Sequence, residues 1–306
     1  MSIETAPFFS VCMPVTNRGE TIFNALSSVA LQTCRDFELV IIDCGSRDNS
    51  RAEIDRFFKS PVYQANKFPY RYEQRDYVPK TVEDWNEPVK LATGRYIAML
   101  EGDDGWRPEY LQTAYDKLSA CPEVGVYATG NQLRPRQRQG YLNSNELVRF
   151  IYGQTEVPPP SETIFVRADH TGIPFLYNDT DYEYAPEIDL YIRIGRDGYD
   201  GFFDEHQNTI RDISPKDRSS WHYFHDRFTI MEKYAAQMGR EAYCNVQKES
   251  LRLTAGTALA ARNLTDLRDI FGHLKKTVGV KKTIGAFISA LKHAITKRTI
   301  HRMRRK

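Results

Sequence analysis

The segment Tyr96-Ile97-Ala98-Met99-Leu100-Glu101-Gly102-Asp103-Asp104 passes without a break from apolar residues to three carboxylates. The apolar part has the length and composition of a buried strand. Three carboxylates within four residues repel one another unless a cation or a cation-bearing ligand lies among them. Ligands of open α/β sheets bind at the carboxyl ends of the strands. The segment therefore predicts a strand of such a sheet with a ligand site at its end.

The chain upstream of this segment alternates between strand and helix patterns. Apolar runs predict strands, and apolar residues at helical spacing predict helices. The strands are expected over Phe8–Val15, Phe37–Asp43, Phe68–Arg75 and Tyr96–Leu100, and the helices over Glu20–Gln32, Arg51–Phe58 and Trp85–Thr93. This alternation is typical of a doubly wound, mostly parallel sheet.

Three of the predicted strands end in carboxylates, namely Asp43, Asp76 and the cluster from Glu101 to Asp104. A single Asp after a strand is commonly a helix cap or a turn residue. Because the carboxyl ends of parallel strands meet at one edge of the sheet, three such ends predict a common acidic crevice.

Several classes of catalytic motif are absent from the sequence. It has no Gly-x-Gly-x-x-Gly after the first strand and no P-loop, which disfavours a dinucleotide fold and a P-loop ATPase. His-Glu-x-x-His, Gly-x-Ser-x-Gly and cysteine-histidine zinc spacings are missing as well. What remains is a site made of carboxylates, which suits Mg²⁺ or Mn²⁺ bound together with substrate phosphates.

The composition is that of an ordinary soluble protein, with 41% hydrophobic and 27% charged residues among 306. We expect no membrane span and no signal peptide. The five cysteines form no Cys-x-x-Cys pair, which favours the cytoplasm.

The C-terminal end is strongly basic. No acidic residue follows Ile270, and residues 275–306 contain eleven Lys and Arg. Such a tail suits an anionic membrane surface, and with it a peripheral location on the inner face of the cell membrane, but a solvated terminal helix fits equally well. Nucleic acid is not an expected partner, since no aromatic-basic interleaving accompanies the charge.

Five stretches together resemble the glycosyltransferases of family two. They are Phe9–Val15, Ala25–Gln32, Phe37–Ser50, Ala92–Asp104 and Glu187–Arg193, and the likeness runs from about residue 8 to 215. The resemblance implies a GT-A fold, an α/β fold with a doubly wound, mostly parallel central sheet, and a nucleoside-diphosphate sugar as donor, most commonly a UDP-sugar.

The resemblance also implies roles for particular residues. Asp103 would contact a Mg²⁺ or Mn²⁺ ion, and Glu101 and Asp104 would support it. Glu187 would be the catalytic base, with Asp189 as the second candidate. The nucleotide and its diphosphate would be held by Pro14, Val15, Thr16, Asp43, Ser46, Asp76 and Arg211.

The expected organisation is a GT-A domain over 1–215 and a helical C-terminal region over 216–306. The donor half would cover about 1–120 and the acceptor half about 121–215. The expected activity is metal-dependent inverting transfer of a sugar to a glycan or lipid-linked acceptor in surface polysaccharide biosynthesis. Two alternatives stay open, a nucleotidyltransferase and a degenerate transferase that binds sugar nucleotide or acts as a scaffold without turnover. The degenerate alternative is based on two departures from the family pattern. Glu101 stands where the pattern has Asp, and Pro186-Glu187 stands where it has Glu-Asp.

Overall fold

The computed structural model describes residues 6–77, 82–131, 139–153, 157–178, 181–182, 185–211, 220–239, 243, 268 and 271–272. Within these residues, eight strands form one sheet in the order β3-β2-β1-β4-β8-β6-β9-β7, and β5 and β10 form a second, two-stranded sheet. The strands are β1 (Phe9–Val15), β2 (Phe37–Cys44), β3 (Tyr70–Arg75), β4 (Tyr96–Met99), β5 (Gly105–Trp106), β6 (Val124–Ala128), β7 (Gly140–Leu142), β8 (Thr163–Val166), β9 (Asp200–Phe203) and β10 (Thr209–Ile210).

Seven helices lie between these strands along the described chain, and an eighth follows the last strand. They are α1 (Ile22–Ala30), α2 (Ser50–Phe58), α3 (Pro61–Ala65), α4 (Glu83–Leu91), α5 (Tyr110–Ala120), α6 (Ser144–Gly153), α7 (Pro186–Arg196) and α8 (Ser220–Met238). In α1 the buried residues recur at helical spacing, so one face of the helix is apolar and packs into the core.

The first four strands of the order are parallel, and they bring the predicted acidic ends together. β1 lies between β2 and β4, with Val15 opposite Asp43 and Cys12 opposite Met99. Strand β8 runs antiparallel to both β4 and β6, and β7 runs antiparallel to β9. The predicted α/β fold with a mostly parallel sheet is confirmed.

Several predicted boundaries differ from the structure by one or two residues, and two elements show why. The third strand begins at Tyr70 rather than Phe68, because Pro69 has no N–H to donate to a neighbouring strand. The helix expected over Trp85–Thr93 begins earlier, at Glu83, and ends at Leu91. Its first turn therefore includes Glu83 and Asp84, acids that suit the positive end of the helix dipole.

Contacts divide the chain into two compact units. The first contains residues 1–148, 158–180 and 189–214, and the second contains 149–157, 181–188 and 215–306. In the second unit the hydroxyl of Tyr152 donates to the carbonyl of Met231 at 3.1 Å, which ties α6 to α8. The domain boundary at residue 215 stays a prediction.

The basic segment 275–306 lies outside the described residues. In the part of the chain that the structure describes, no helix combines the length and the apolar character needed to cross a bilayer.

Candidate active site

Two loops at the carboxyl ends of β1 and β2 are joined by hydrogen bonds between their side chains and main chains. Asn17 adopts a left-handed conformation with φ of 53°, which an Asn tolerates better than most residues. Its N–H donates to Ser46 Oγ at 3.0 Å, and its Oδ1 accepts the N–H of Arg47 at 2.9 Å. The N–H of Gly19 donates to Asp48 at 2.9 Å. The two loops therefore form one fixed rim above the sheet.

Asp43 lies under this rim and is 5% exposed. Its Oδ1 accepts the N–H of Ser46 at 3.0 Å. Its Oδ2 faces the hydroxyl of Tyr72 at 3.5 Å, and that hydroxyl accepts a hydrogen bond from the amide of Gln74 at 2.7 Å. One oxygen of Asp43 is thus engaged by the main chain, and the other faces polar side chains of β3.

The remaining residues predicted to hold the nucleotide occupy different environments. Pro14 and Val15 are buried at the end of β1, and Thr16 is half-buried beside Cys44. The structure therefore brings the β1 turn next to Asp43. Asp76 lies just beyond β3 and is exposed at the edge of the sheet.

The three carboxylates after β4 differ in burial and partners. Asp103 lies 3.6 Å from the guanidinium of Arg18, and its side chain is 17% exposed. Asp104 is buried and lies 3.6 Å from Nε of Arg211. The main chain of Glu101 is fixed by a hydrogen bond from its N–H to Ser161 Oγ at 3.1 Å. Burial and the neighbouring Glu101 carboxylate raise the pKa of Asp104, which Arg211 opposes.

Helix α7 carries both candidates for the catalytic base. Asp189 is fully buried and accepts a hydrogen bond at 2.7 Å from Nε of Arg193, one turn later. Arg193 also donates to the carbonyl of Leu176. Through Arg193, Asp189 therefore fixes the part of the helix that belongs to the first unit. Glu187 lies in the first turn of α7, belongs to the second unit and is 4% exposed.

The sequence model of the family described as "Glycosyl transferase family 2" matches residues 10–177. The chain belongs to glycosyltransferase family 2. This confirms the family that the motifs resemble.

A curated relative agrees with this assignment. A stretch of 97 residues is 33% identical to the UDP-Glc:alpha-D-GlcNAc-diphosphoundecaprenol beta-1,3-glucosyltransferase WfgD of Escherichia coli, covering 32% of this chain and 35% of WfgD. The chain thus spans about a third of the length of the curated relatives it matches.

Two solved structures share the fold. One is S. aureus TarS 1-349 in complex with UDP-GlcNAc, with a TM-score of 0.66 at 15% identity over 96% of this chain and 91% of TarS. The other is the mannosyltransferase PcManGT of Pyrobaculum calidifontis in complex with GDP-Man and Mn²⁺, with a TM-score of 0.60 at 16% identity over 95% and 88% of the two chains. At this identity they show the fold alone.

The oxygen ligands of this family 2 chain fit Mg²⁺ or Mn²⁺. Asp103 and Asp104 would hold such an ion, and substrate phosphates and water would complete its coordination. Across the described ranges, no three His, Cys, Asp or Glu side chains are grouped so that they could hold a metal ion by themselves.

Two acidic residues near the site are missing from the sequence-based expectations. Asp84, in the first turn of α4, has its pKa raised to about 7, mainly by burial and also by Glu101. Glu162 is buried, accepts a hydrogen bond from Asn131 at 2.7 Å, and lies 4.0 Å from Arg211. Neither follows a strand of the donor half, so no local pattern indicates a site there.

Trp106 is part of the core and does not offer a surface for stacking. It is 2% exposed, and its indole N–H donates to the carbonyl of Ser161 at 2.8 Å. The same carbonyl accepts a hydrogen bond from the hydroxyl of Thr209 at 3.2 Å. Ser161 therefore links β5, β10 and the loop that carries Glu101.

Proposed function

We propose that this chain is a metal-dependent inverting glycosyltransferase that uses a UDP-sugar. The observation that carries the proposal is the position of two carboxylates on either side of β1. Asp43 lies at the end of β2 and Asp103 follows the end of β4, so two strand spacings, about 10 Å, separate their strands. A nucleoside diphosphate can bridge such a span, with its base at Asp43 and its phosphates at Asp103.

The hydrogen bonds of Asp43 favour uracil as the base. Oδ1 already accepts the Ser46 N–H, whereas Oδ2 accepts the Tyr72 hydroxyl only at 3.5 Å and can also accept a donor from the nucleotide. Uracil offers a single N–H between two carbonyl groups, whereas guanine offers two adjacent donors to a carboxylate. Adenine and cytosine present an acceptor nitrogen at the equivalent edge, which a carboxylate would repel. Gln74 lies beside Asp43, and the amide nitrogen that donates to Tyr72 has a second N–H for a uracil carbonyl.

The chemistry requires one base and stabilisation of one leaving group. Glu187 takes the proton of an acceptor hydroxyl while the acceptor oxygen forms a bond to the anomeric carbon. The bond from that carbon to the diphosphate oxygen breaks, and the nucleoside diphosphate leaves with the electron pair. A single displacement of this kind inverts the anomeric configuration. Neutralising the charge on the departing diphosphate is what a divalent ion at Asp103 would supply, and Arg211 adds a fixed positive charge.

The acceptor is proposed to be a glycan or a lipid-linked sugar in surface polysaccharide biosynthesis. The name of WfgD includes a diphosphoundecaprenol acceptor, and the basic segment 275–306 suits the anionic surface in which such lipids reside. We therefore propose a cytoplasmic protein that associates with the inner face of the membrane.

Calorimetric titration tests the donor site. UDP, UDP-glucose, UDP-GlcNAc, GDP-mannose and a dTDP-sugar are titrated into the protein with Mn²⁺ and again with a chelator. We expect a uridine nucleotide to bind with Mn²⁺ and to lose at least tenfold in affinity in Asp103→Ala. Binding of no sugar nucleotide under either condition contradicts the proposal, and binding without hydrolysis or transfer favours the degenerate alternative.

A further inference from the structure

Arg18 is fixed in place by both its main chain and its side-chain stem. Its N–H donates to Ser50 Oγ at 2.7 Å, and its carbonyl accepts the N–H of Ile22 at 2.8 Å. The hydroxyl of Thr21 donates to the carbonyl of Gly102 at 2.8 Å, which joins this loop to the loop after β4. Arg18 therefore remains beside Gly102 whatever its guanidinium contacts.

Gly102 leaves the space in which the stem of Arg18 lies. A Cβ at position 102 would come within 3.0 Å of Arg18 Cγ and 3.3 Å of its Cβ. Because the stem crosses the loop at this point, the guanidinium reaches Asp103, at 3.6 Å. Only the end of the side chain is left to move, and 31% of the side chain is exposed to solvent.

The ion pair with Arg18 occupies the carboxylate that would hold a divalent ion. Asp104, the next residue, faces Arg211 at the same distance of 3.6 Å. Each acid of the pair thus has an arginine of the chain as its cation. A divalent ion at Asp103 and the guanidinium of Arg18 would repel each other, so the two compete for one carboxylate.

We infer that Arg18 is the resident counter-ion of Asp103, displaced by a divalent cation and then transferred to the diphosphate of the donor. The second half of this inference rests on the proposed function, which supplies the diphosphate. In the free protein, Arg18 opposes metal binding. In the donor complex, the displaced guanidinium gains a phosphate partner. Metal and nucleotide therefore bind cooperatively, and Arg18 is part of that coupling.

The test measures the two ligands separately and together. Mn²⁺ alone is titrated into the full chain, with free Mn²⁺ followed by electron paramagnetic resonance. UDP is then titrated at saturating Mn²⁺ by calorimetry. Arg18→Gln keeps most of the stem over Gly102 and removes the charge. Arg18→Lys keeps the charge, and Lys67→Gln removes one charge from an exposed residue elsewhere. Urea unfolding confirms that each variant is folded.

Loss of the Arg18 charge should change the affinities for Mn²⁺ alone and for UDP in opposite directions. Arg18→Gln should bind Mn²⁺ alone about three- to fivefold more tightly and UDP with Mn²⁺ about three- to fivefold more weakly, as expected for a partly exposed ion pair. Lys67→Gln should change neither value, and Arg18→Lys should lie closer to wild type. Unchanged or weaker Mn²⁺ binding in Arg18→Gln overturns the counter-ion role, and unchanged UDP binding overturns the transfer to the diphosphate. If the wild type binds no nucleotide, the proposed function fails, and the Mn²⁺ titration still decides the pairing of Arg18 with Asp103.

Discussion

The side chain of Asn86 forms two hydrogen bonds with the main chain of Tyr177. Its Nδ2 donates to the carbonyl at 2.9 Å, and its Oδ1 accepts the N–H at 2.8 Å. Asn86 is 1% exposed, so water cannot replace either bond. The pairing joins α4 to a segment 91 residues later in the sequence and holds the helix that carries Asp84.

Replacing Asn86 should therefore destabilise the first unit. We expect Asn86→Ala to lower the free energy of unfolding by about 3 kcal/mol, because two buried main-chain groups lose their partners. Asn86→Asp loses only the donor, but it places a carboxylate against the Tyr177 carbonyl, so we expect a similar loss above pH 6. Urea denaturation measures both. Asn66→Ala is the control. Asn66 is half-buried, and its side chain donates one hydrogen bond to the carbonyl of Val62, so its replacement should lower the free energy of unfolding by less than about 1 kcal/mol. Equal losses in Asn86→Ala and Asn66→Ala would contradict the argument.

Asp84 should make stability depend on pH. Its pKa is raised to about 7 by burial, from an ordinary value of 3.8, so the folded protein keeps a proton that the unfolded chain releases as the pH rises from 4. More protons are bound in the folded state, and the free energy of unfolding therefore falls between pH 4 and 7.

Asp84→Asn should remove this loss of stability. At pH 8 we expect the variant to be about 2 kcal/mol more stable than wild type, a value reduced for partial solvent access. The difference should shrink towards zero near pH 4. Chemical denaturation from pH 4 to 8 measures it, and Asp55→Asn on the exposed face of α2 is the control. A constant difference across this range would show that the Asp84 carboxyl does not titrate in it.

The positions of Asp43 and Asp103 are predictable from sequence because both follow apolar runs long enough to be buried strands. Parallel pairing with β1 then brings the two ends together. The resemblance to the family adds the roles expected of these two residues, which periodicity alone does not give. This part of the site depends on local patterns, and the structure confirms the strands that position it.

The contacts around those aspartates are not predictable in the same way. Arg18 has the pattern of a turn residue, and its pairing with Asp103 depends on where two loops 85 residues apart come to lie. Asp84 has the pattern of an ordinary first-turn acid of a helix, and only tertiary burial raises its pKa. Glu162 follows a proline-rich break and gains its partner Asn131 through the pairing of distant segments. Such relationships arise from packing and leave no periodic signal.

Gly102→Ala should disturb Arg18 without changing any charge. The new methyl group would meet the Arg18 stem at 3.0 Å, so the stem must shift by a few tenths of an ångström and the guanidinium moves away from Asp103. We expect Mn²⁺ alone to bind about twofold more tightly, in the direction of Arg18→Gln, because a weaker ion pair competes less.

Gly105→Ala is the matched control for this substitution. Its methyl group would lie 3.6 Å from Ser28, an ordinary contact, and Mn²⁺ binding should equal that of wild type. Mn²⁺ titrations of both alanine variants under the same conditions give the comparison. Identical affinities in the two variants would show that the Arg18 stem adapts without loss of the pairing.

We expect the two acids of α7 to have different roles, a chemical role for Glu187 and a structural role for Asp189. Glu187→Gln keeps the shape of the side chain and removes its ability to take a proton. We expect it to bind UDP and Mn²⁺ as wild type does and to lose at least a hundredfold in transfer rate. Asp189→Asn breaks a buried pair with Arg193 and should lower the free energy of unfolding by about 2 kcal/mol. At temperatures where Asp189→Asn is folded, its transfer rate should fall far less than that of Glu187→Gln. Loss of transfer in folded Asp189→Asn, with transfer retained in Glu187→Gln, would instead place the base at residue 189.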